Sequence, residues 1–86
     1  MRGKATRSFW RLFNDLPDDV QEQARRAYQQ WQSDPAYPSL HFKRVSRNEP
    51  LYSARVGLHY RVLGLLEGDT VTWFWIGPHD EYDRLL

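Results

Sequence analysis

The chain contains no cysteine. That excludes disulfides, thiolate metal sites and a cysteine nucleophile. Histidine is scarce: His41, His59 and His79 are scattered with no HxxxH-type spacing, so a built-in metal site is not expected. No apolar run approaches the ~20 residues that a membrane span needs. The basic start Met1-Arg2-Gly3-Lys4 is followed by no apolar signal-peptide stretch. Internal repeats and low-complexity linkers are missing as well. These absences predict a cytoplasmic protein with no membrane partner and no cofactor.

What is present fits one domain over residues 1–86, large enough for one modest core. The 41% apolar and 27% charged composition is that of an ordinary globular chain, and 15% aromatics with four Trp compensate for small size. The net charge of +1 hides an uneven distribution. Residues 41–61 carry Lys43, Arg44, Arg47, Arg55 and Arg61 against Glu49 alone. Residues 62–86 carry Arg84 against Glu67, Asp69, Asp80, Glu81 and Asp83. A basic block inside a nearly neutral chain suits one anionic ligand held at one place better than a general nucleic-acid coat.

The chain is organised around Val71–Tyr82. Val71-Thr72-Trp73-Phe74-Trp75-Ile76 is β-branched and aromatic on both faces, as expected of a strand inside a sheet. It stops at Gly77-Pro78 and presents His79, Asp80, Glu81 and Tyr82 at its rim. Upstream, Phe9, Leu12, Phe13 and Leu16 follow helical spacing, and Pro17 with Asp18, Asp19 and Glu22 starts a second helix. Val20, Ala24, Ala27, Tyr28 and Trp31 line one face of it until Ser33-Asp34-Pro35. Strands are predicted at 40–45, 52–56, 60–66 and 71–76, with turns at Gly57-Leu58-His59 and Glu67-Gly68-Asp69. The predicted class is α+β: a two-helix hairpin over about 6–33 packs on one face of a small, mostly antiparallel four-stranded sheet over about 40–77. A short tail, 78–86, carries chemistry. Tyr52, Ala54 and Val56 alternate toward the helices, so Arg55 is expected on the opposite, open face. Trp73 and Trp75 read as core, His41 and His59 as exposed, and Trp10, off the apolar stripe of its helix, as a partner contact.

Six ordered motifs resemble one family. They are Phe9-x-x-x-Phe13-x-x-Leu16-Pro17, Asp34-Pro35, Leu40-x-Phe42-Lys43, Tyr52-x-x-Arg55-Val56-Gly57, Tyr60-Arg61-Val62-Leu63 and Ile76-Gly77-x-His79-x-x-Tyr82. Together they look like the RelE/ParE superfamily of toxins from type II toxin–antitoxin pairs. The resemblance implies a cognate antitoxin and a hetero-oligomer with it on operator DNA. In the RelE-like branch it implies cleavage of mRNA on the ribosome; in the ParE-like branch, inhibition of DNA gyrase; a non-catalytic, antitoxin-binding relative is a third reading. By the same resemblance, Arg55, His79 and Tyr82 match the catalytic positions, and Lys43, Arg44, Arg47 and Arg61 the RNA-binding ones.

The chemistry is consistent with that. Metal-independent RNA cleavage needs a base for the 2′-hydroxyl, an acid for the leaving 5′-oxygen, and cations for the phosphorane. His79 serves as acid or base, with Asp80 and Glu81 as alternative bases. Arg55 and Lys43 supply fixed charge, and Tyr82 stacks on a base or joins the proton transfer.

Overall fold

The computed structural model describes residues 1–86. Its elements are strand β1 (Arg2–Ala5), helix α1 (Arg7–Asn14), helix α2 (Asp18–Ser33), a 3-10 turn at Pro38–Leu40, β2 (Lys43–Arg44), β3 (Leu51–Val56), β4 (Tyr60–Glu67), β5 (Thr70–Pro78) and helix α3 (His79–Leu85).

Local chemistry explains each helix boundary. Thr6 caps α1, its Oγ1 accepting the Phe9 N–H at 3.1 Å. Pro17 precedes α2, whose first turn carries Asp18 and Asp19 against the positive end of the helix dipole. Gln21 joins the two helices. Its Nε2 donates to the carbonyls of Phe13 and Leu16 at 3.1 Å, near the end of α1 where intrahelical partners run out. The hairpin covers one sheet face through Phe13, Ala24 and Trp31, against Ala54, Val56, Val62, Val71, Trp73 and Ile76.

The α+β class holds, but the sheet differs from the predicted one. It is mixed and five-stranded, in the order β1-β5-β4-β3-β2. The extra strand is the N-terminus, which pairs in parallel with β5 from Arg2↔Thr70 to Ala5↔Trp73. Four residues containing two cations and a glycine carry no strand pattern; they pair because β5 is apolar on both faces and would otherwise be an edge. Gly3 permits the approach, since a Cβ there would lie 2.7 Å from Tyr28 Cε1. The predicted strand over 40–45 shrinks to Lys43–Arg44, because Leu40 ends a 3-10 turn and His41 takes a left-handed φ of 45°.

The second sheet face is not open either. Residues 79–85, within the short tail expected over 78–86, form α3 and fold under the sheet. Ser53, on the strand positions expected to face solvent, is 3% exposed beneath Tyr82, and Leu63 is equally buried. Trp73 enters the core, whereas Trp75 is only half-buried and lies over Gly77. No helix is long and apolar enough to cross a membrane.

Candidate functional site

Strand register assembles a site on the α3 side of the sheet. One row across the strands is Lys43, Ser53, Leu63 and Trp75; the next is Arg55, Arg61 and Gly77. Residues paired across strands point to the same face. Lys43, Arg55 and Arg61 therefore share the face that α3 partly covers. Arg61, not Arg55, adjoins the end of β5; Arg55 is two strands away, about 10 Å from Gly77 at ordinary strand spacing.

Arg61 is the most perturbed charge in the chain. Burial lowers its pKa, the neighbouring Arg55 lowers it further, and Tyr82 and Asp83 pull it back up. Its Nη1 donates to the carbonyl of Tyr60 at 2.8 Å, which fixes the guanidinium at the β3–β4 turn. Two cations side by side, one of them losing hydration, form a positive patch whose repulsion an anion would relieve.

His79 is delivered by β5 and held at the first position of α3. Its backbone N–H donates to the His59 carbonyl at 2.7 Å, tying the helix start to the β3–β4 turn. The imidazole is about half exposed, with Nε2 3.2 Å from Asp83 Oδ2, one helical turn on. Asp83 thus touches both His79 and, through its charge, Arg61. Asp80 faces Arg84 at 3.9 Å, and its Oδ1 accepts the Glu81 N–H, so it belongs to the helix surface.

Tyr82 is buried, its hydroxyl donating to Ser53 Oγ at 3.0 Å, with its ring 6.5 Å from the His79 ring. That hydroxyl is already engaged, and the ring has no exposed face to offer a base. Arg44 is set apart from the others. It pairs with Tyr52 on the hairpin side of the sheet, and its guanidinium donates to the carbonyls of Ser46, Arg47 and Glu49 at 2.8, 3.2 and 3.2 Å. Those bonds close the loop between β2 and β3. Arg47 lies on that loop, exposed, beyond the edge of the sheet. The structure therefore brings together Lys43, Arg55, Arg61, His79 and Tyr82, and leaves Arg44 and Arg47 outside.

Two members of the cluster escaped the sequence reading. Asp83 is four residues after His79, a spacing that makes contact only if 79–85 is helical. Ser53 is an ordinary strand serine until Tyr82 covers it. No group of three or more His, Asp or Glu side chains gathers to hold a metal ion.

The fold has solved relatives. A chain of the RelB–RelE antitoxin–toxin complex from Methanococcus jannaschii is similar over 96% of this chain and 99% of that one, with a TM-score of 0.75 and 18% identity. YafQ from Escherichia coli gives a TM-score of 0.74 over 95% and 98% of the two chains, at 8% identity. A chain of the RelBE2 toxin–antitoxin complex from Mycobacterium tuberculosis gives 0.72 over 91% and 96%, at 21% identity. At such identities the likeness is one of fold. Searched by sequence against curated proteins, the chain has no significant match. The ParE-like toxin domain profile, however, matches residues 18–84, most of the sequence and every residue of the site, leaving out only β1, α1 and the chain ends. The chain belongs to the ParE-like toxin domain family, within the RelE/ParE superfamily of toxin–antitoxin toxins.

Proposed function

We propose that this protein is the toxin of a type II toxin–antitoxin pair and a metal-independent endoribonuclease acting on mRNA at the ribosome in the cytoplasm. One observation carries the reading: Arg55 and Arg61 lie in register on adjacent strands, beside a helix that begins with the His79–Asp83 pair. A protein that only binds has no need of an oriented imidazole next to paired cations.

In the proposed reaction the scissile phosphate sits on Arg55 and Arg61, which stabilise the charge gathering on phosphorus. The 2′-oxygen attacks phosphorus, the bond to the 5′-oxygen breaks, and a 2′,3′-cyclic phosphate forms. His79 takes the proton from the 2′-hydroxyl, with Asp83 fixing the ring, and water supplies the proton that the leaving 5′-oxygen accepts. Lys43 attracts the neighbouring backbone phosphate from the same face. Tyr82 acts by holding α3 in place, so its part is positioning. Arg44 orders the loop that carries Arg47, the one cation of this group left to reach a ribosomal or RNA phosphate.

The cognate antitoxin is proposed to cover the apolar groove of about 250 Å³ between β1, α1 and α2, where Phe9, Phe13 and Tyr28 form the wall. Trp10, half exposed at its rim, is the anchor, and the pair would assemble on operator DNA.

A second reading, inhibition of DNA gyrase without hydrolysis, is favoured by the ParE-like profile. Parallel assays separate the two: 5′-end mapping of a reporter mRNA in reconstituted translation, and supercoiling by purified gyrase. New mRNA ends with unaffected supercoiling support the nuclease; lost supercoiling with intact mRNA supports the second reading.

A further inference from the structure

A groove of about 430 Å³ runs along the edge of β3, between α2, the 3-10 turn and the β3–β4 turn. It is separate from the apolar groove at β1. Two exposed apolar side chains flank it: Tyr37, 41% exposed, and Leu58, 78% exposed. Gln23 and Gln30 supply side-chain amides, Arg26 supplies a guanidinium that also pairs with Glu22 at 3.4 Å, Arg55 lines the groove with its main chain, and no carboxylate lines it.

Backbone hydrogen bonds and a glycine turn set the groove's frame. Tyr37 N–H donates to the Asp34 carbonyl at 3.0 Å, and the Tyr37 carbonyl accepts the Leu40 N–H at 3.1 Å, so the residue is pinned from both sides. Leu58 follows Gly57, whose φ of +63° forms the turn and whose missing Cβ leaves room for Gln23 Oε1. Arg55 links this groove to the cationic pair. Val45 N–H donates to the Leu51 carbonyl, so alternate residues of β3 turn their main chain toward β2. Strand β2 pairs no further along β3 than Ser53, which leaves the Arg55 main chain facing the groove while its side chain shares a face with Arg61.

An exposed aromatic ring and an apolar side chain lining one groove, with two amides and no acid, fit a nucleobase. A peptide adding to the edge fits less well, because strand addition needs several consecutive main-chain partners and only Arg55 offers them. We propose that this groove binds the base of the nucleotide whose phosphate lies on Arg55 and Arg61. The base stacks on Tyr37 and Leu58, and Gln30 and Gln23 read its edge, so the groove sets the base preference of cleavage. The inference rests on the phosphate site of the proposed function.

The test is a nuclear magnetic resonance titration of the intact protein with inorganic phosphate, ribose 5-phosphate and the four nucleoside 3′-monophosphates. All should shift Arg55 and Arg61. Only the nucleotides should also shift Tyr37, Gln30 and Leu58, with affinities that differ between bases. Tyr37→Ala should weaken nucleotide binding about tenfold, the scale of one lost base stack, and leave phosphate binding unchanged; Gln30→Ala should reduce the differences between bases. Nucleotides that shift only Arg55 and Arg61, as ribose phosphate does, would overturn the inference while leaving the phosphate site intact. If phosphate shifts neither arginine, the phosphate site itself fails, and the base site with it.

Discussion

Tyr82 on α3 donates its hydroxyl to Ser53 Oγ on β3 at 3.0 Å, and both side chains are buried. This is the polar tie between the C-terminal helix and the middle of the sheet. It determines where His79, three residues earlier on the same helix, sits relative to Arg61.

Tyr82→Phe removes the donor and leaves the buried Ser53 hydroxyl without it, a loss of about 1–3 kcal/mol. At about 4–8 °C per kcal/mol for a domain of this size, the melting temperature should fall measurably. Cleavage should fall as well, because α3 is less firmly held. Pairing the change with Ser53→Ala should recover part of the stability and none of the activity.

Arg61 makes a prediction about anions. Its folded pKa is lowered by burial and by Arg55. The folded state therefore binds this proton less tightly than the unfolded chain does, and folding carries a penalty at every pH below the lowered value. Stability from this group rises only when alkaline pH passes through the folded and then the unfolded pKa. At neutral pH the penalty is fully present, so a bound anion should relieve it. Phosphate should raise the melting temperature above that in chloride of equal ionic strength, and Arg55→Ala should abolish most of the difference.

Asp83 orients the imidazole of His79 across 3.2 Å. Asp83→Ala should reduce the cleavage rate about tenfold or more, within the range of a lost acid–base contribution. The nitrogen-15 shifts of His79 should change in tautomer balance, while the melting temperature hardly moves, because exposed pairs contribute little.

Lys43 and Arg44 are adjacent in sequence and face opposite ways. Lys43→Ala should weaken binding of single-stranded RNA and flatten its salt dependence by about 0.7 in log–log slope, as for one lost phosphate contact. Arg44→Ala should leave that slope unchanged and speed amide exchange over residues 46–49, where it holds the carbonyls of Ser46, Arg47 and Glu49.

Gly3→Val places side-chain atoms where Tyr28 and Trp31 already lie. The clash should detach β1 from β5, lower the melting temperature and expose the amides of residues 70–73 to exchange. A variant as stable as the parent would show that β1 contributes nothing to the fold.

Much of this was legible in sequence where periodicity was strong. The hairpin follows from Phe9, Phe13, Ala24 and Trp31, and the interior place of β5 from apolar residues on both faces. What escaped depends on tertiary partners. Residues 2–5 have no strand pattern and pair only because β5 needs a neighbour. His79–Leu85 carries no apolar stripe and becomes a helix against the sheet through one residue, Tyr82. For the same reason Arg55 and Arg61 were readable as basic strand residues, while Ser53 and Asp83 acquire meaning only once α3 is folded. Arg44 shows the opposite error: a cation in a basic run spends its donors on its own loop.

Arg55, Arg61 and His79 are proposed to form one phosphate-cleaving site. The most direct test is single-turnover cleavage of a reporter mRNA, with and without ribosomes, comparing the parent with Arg55→Ala, Arg61→Met and His79→Ala. The parent should give discrete cuts that depend on ribosomes and end in 2′,3′-cyclic phosphate, and all three variants should be slowed at least a hundredfold, at the low end of an acid–base or charge-stabilising loss. Cuts of undiminished rate in His79→Ala, or no cuts by the parent under either condition, would contradict it.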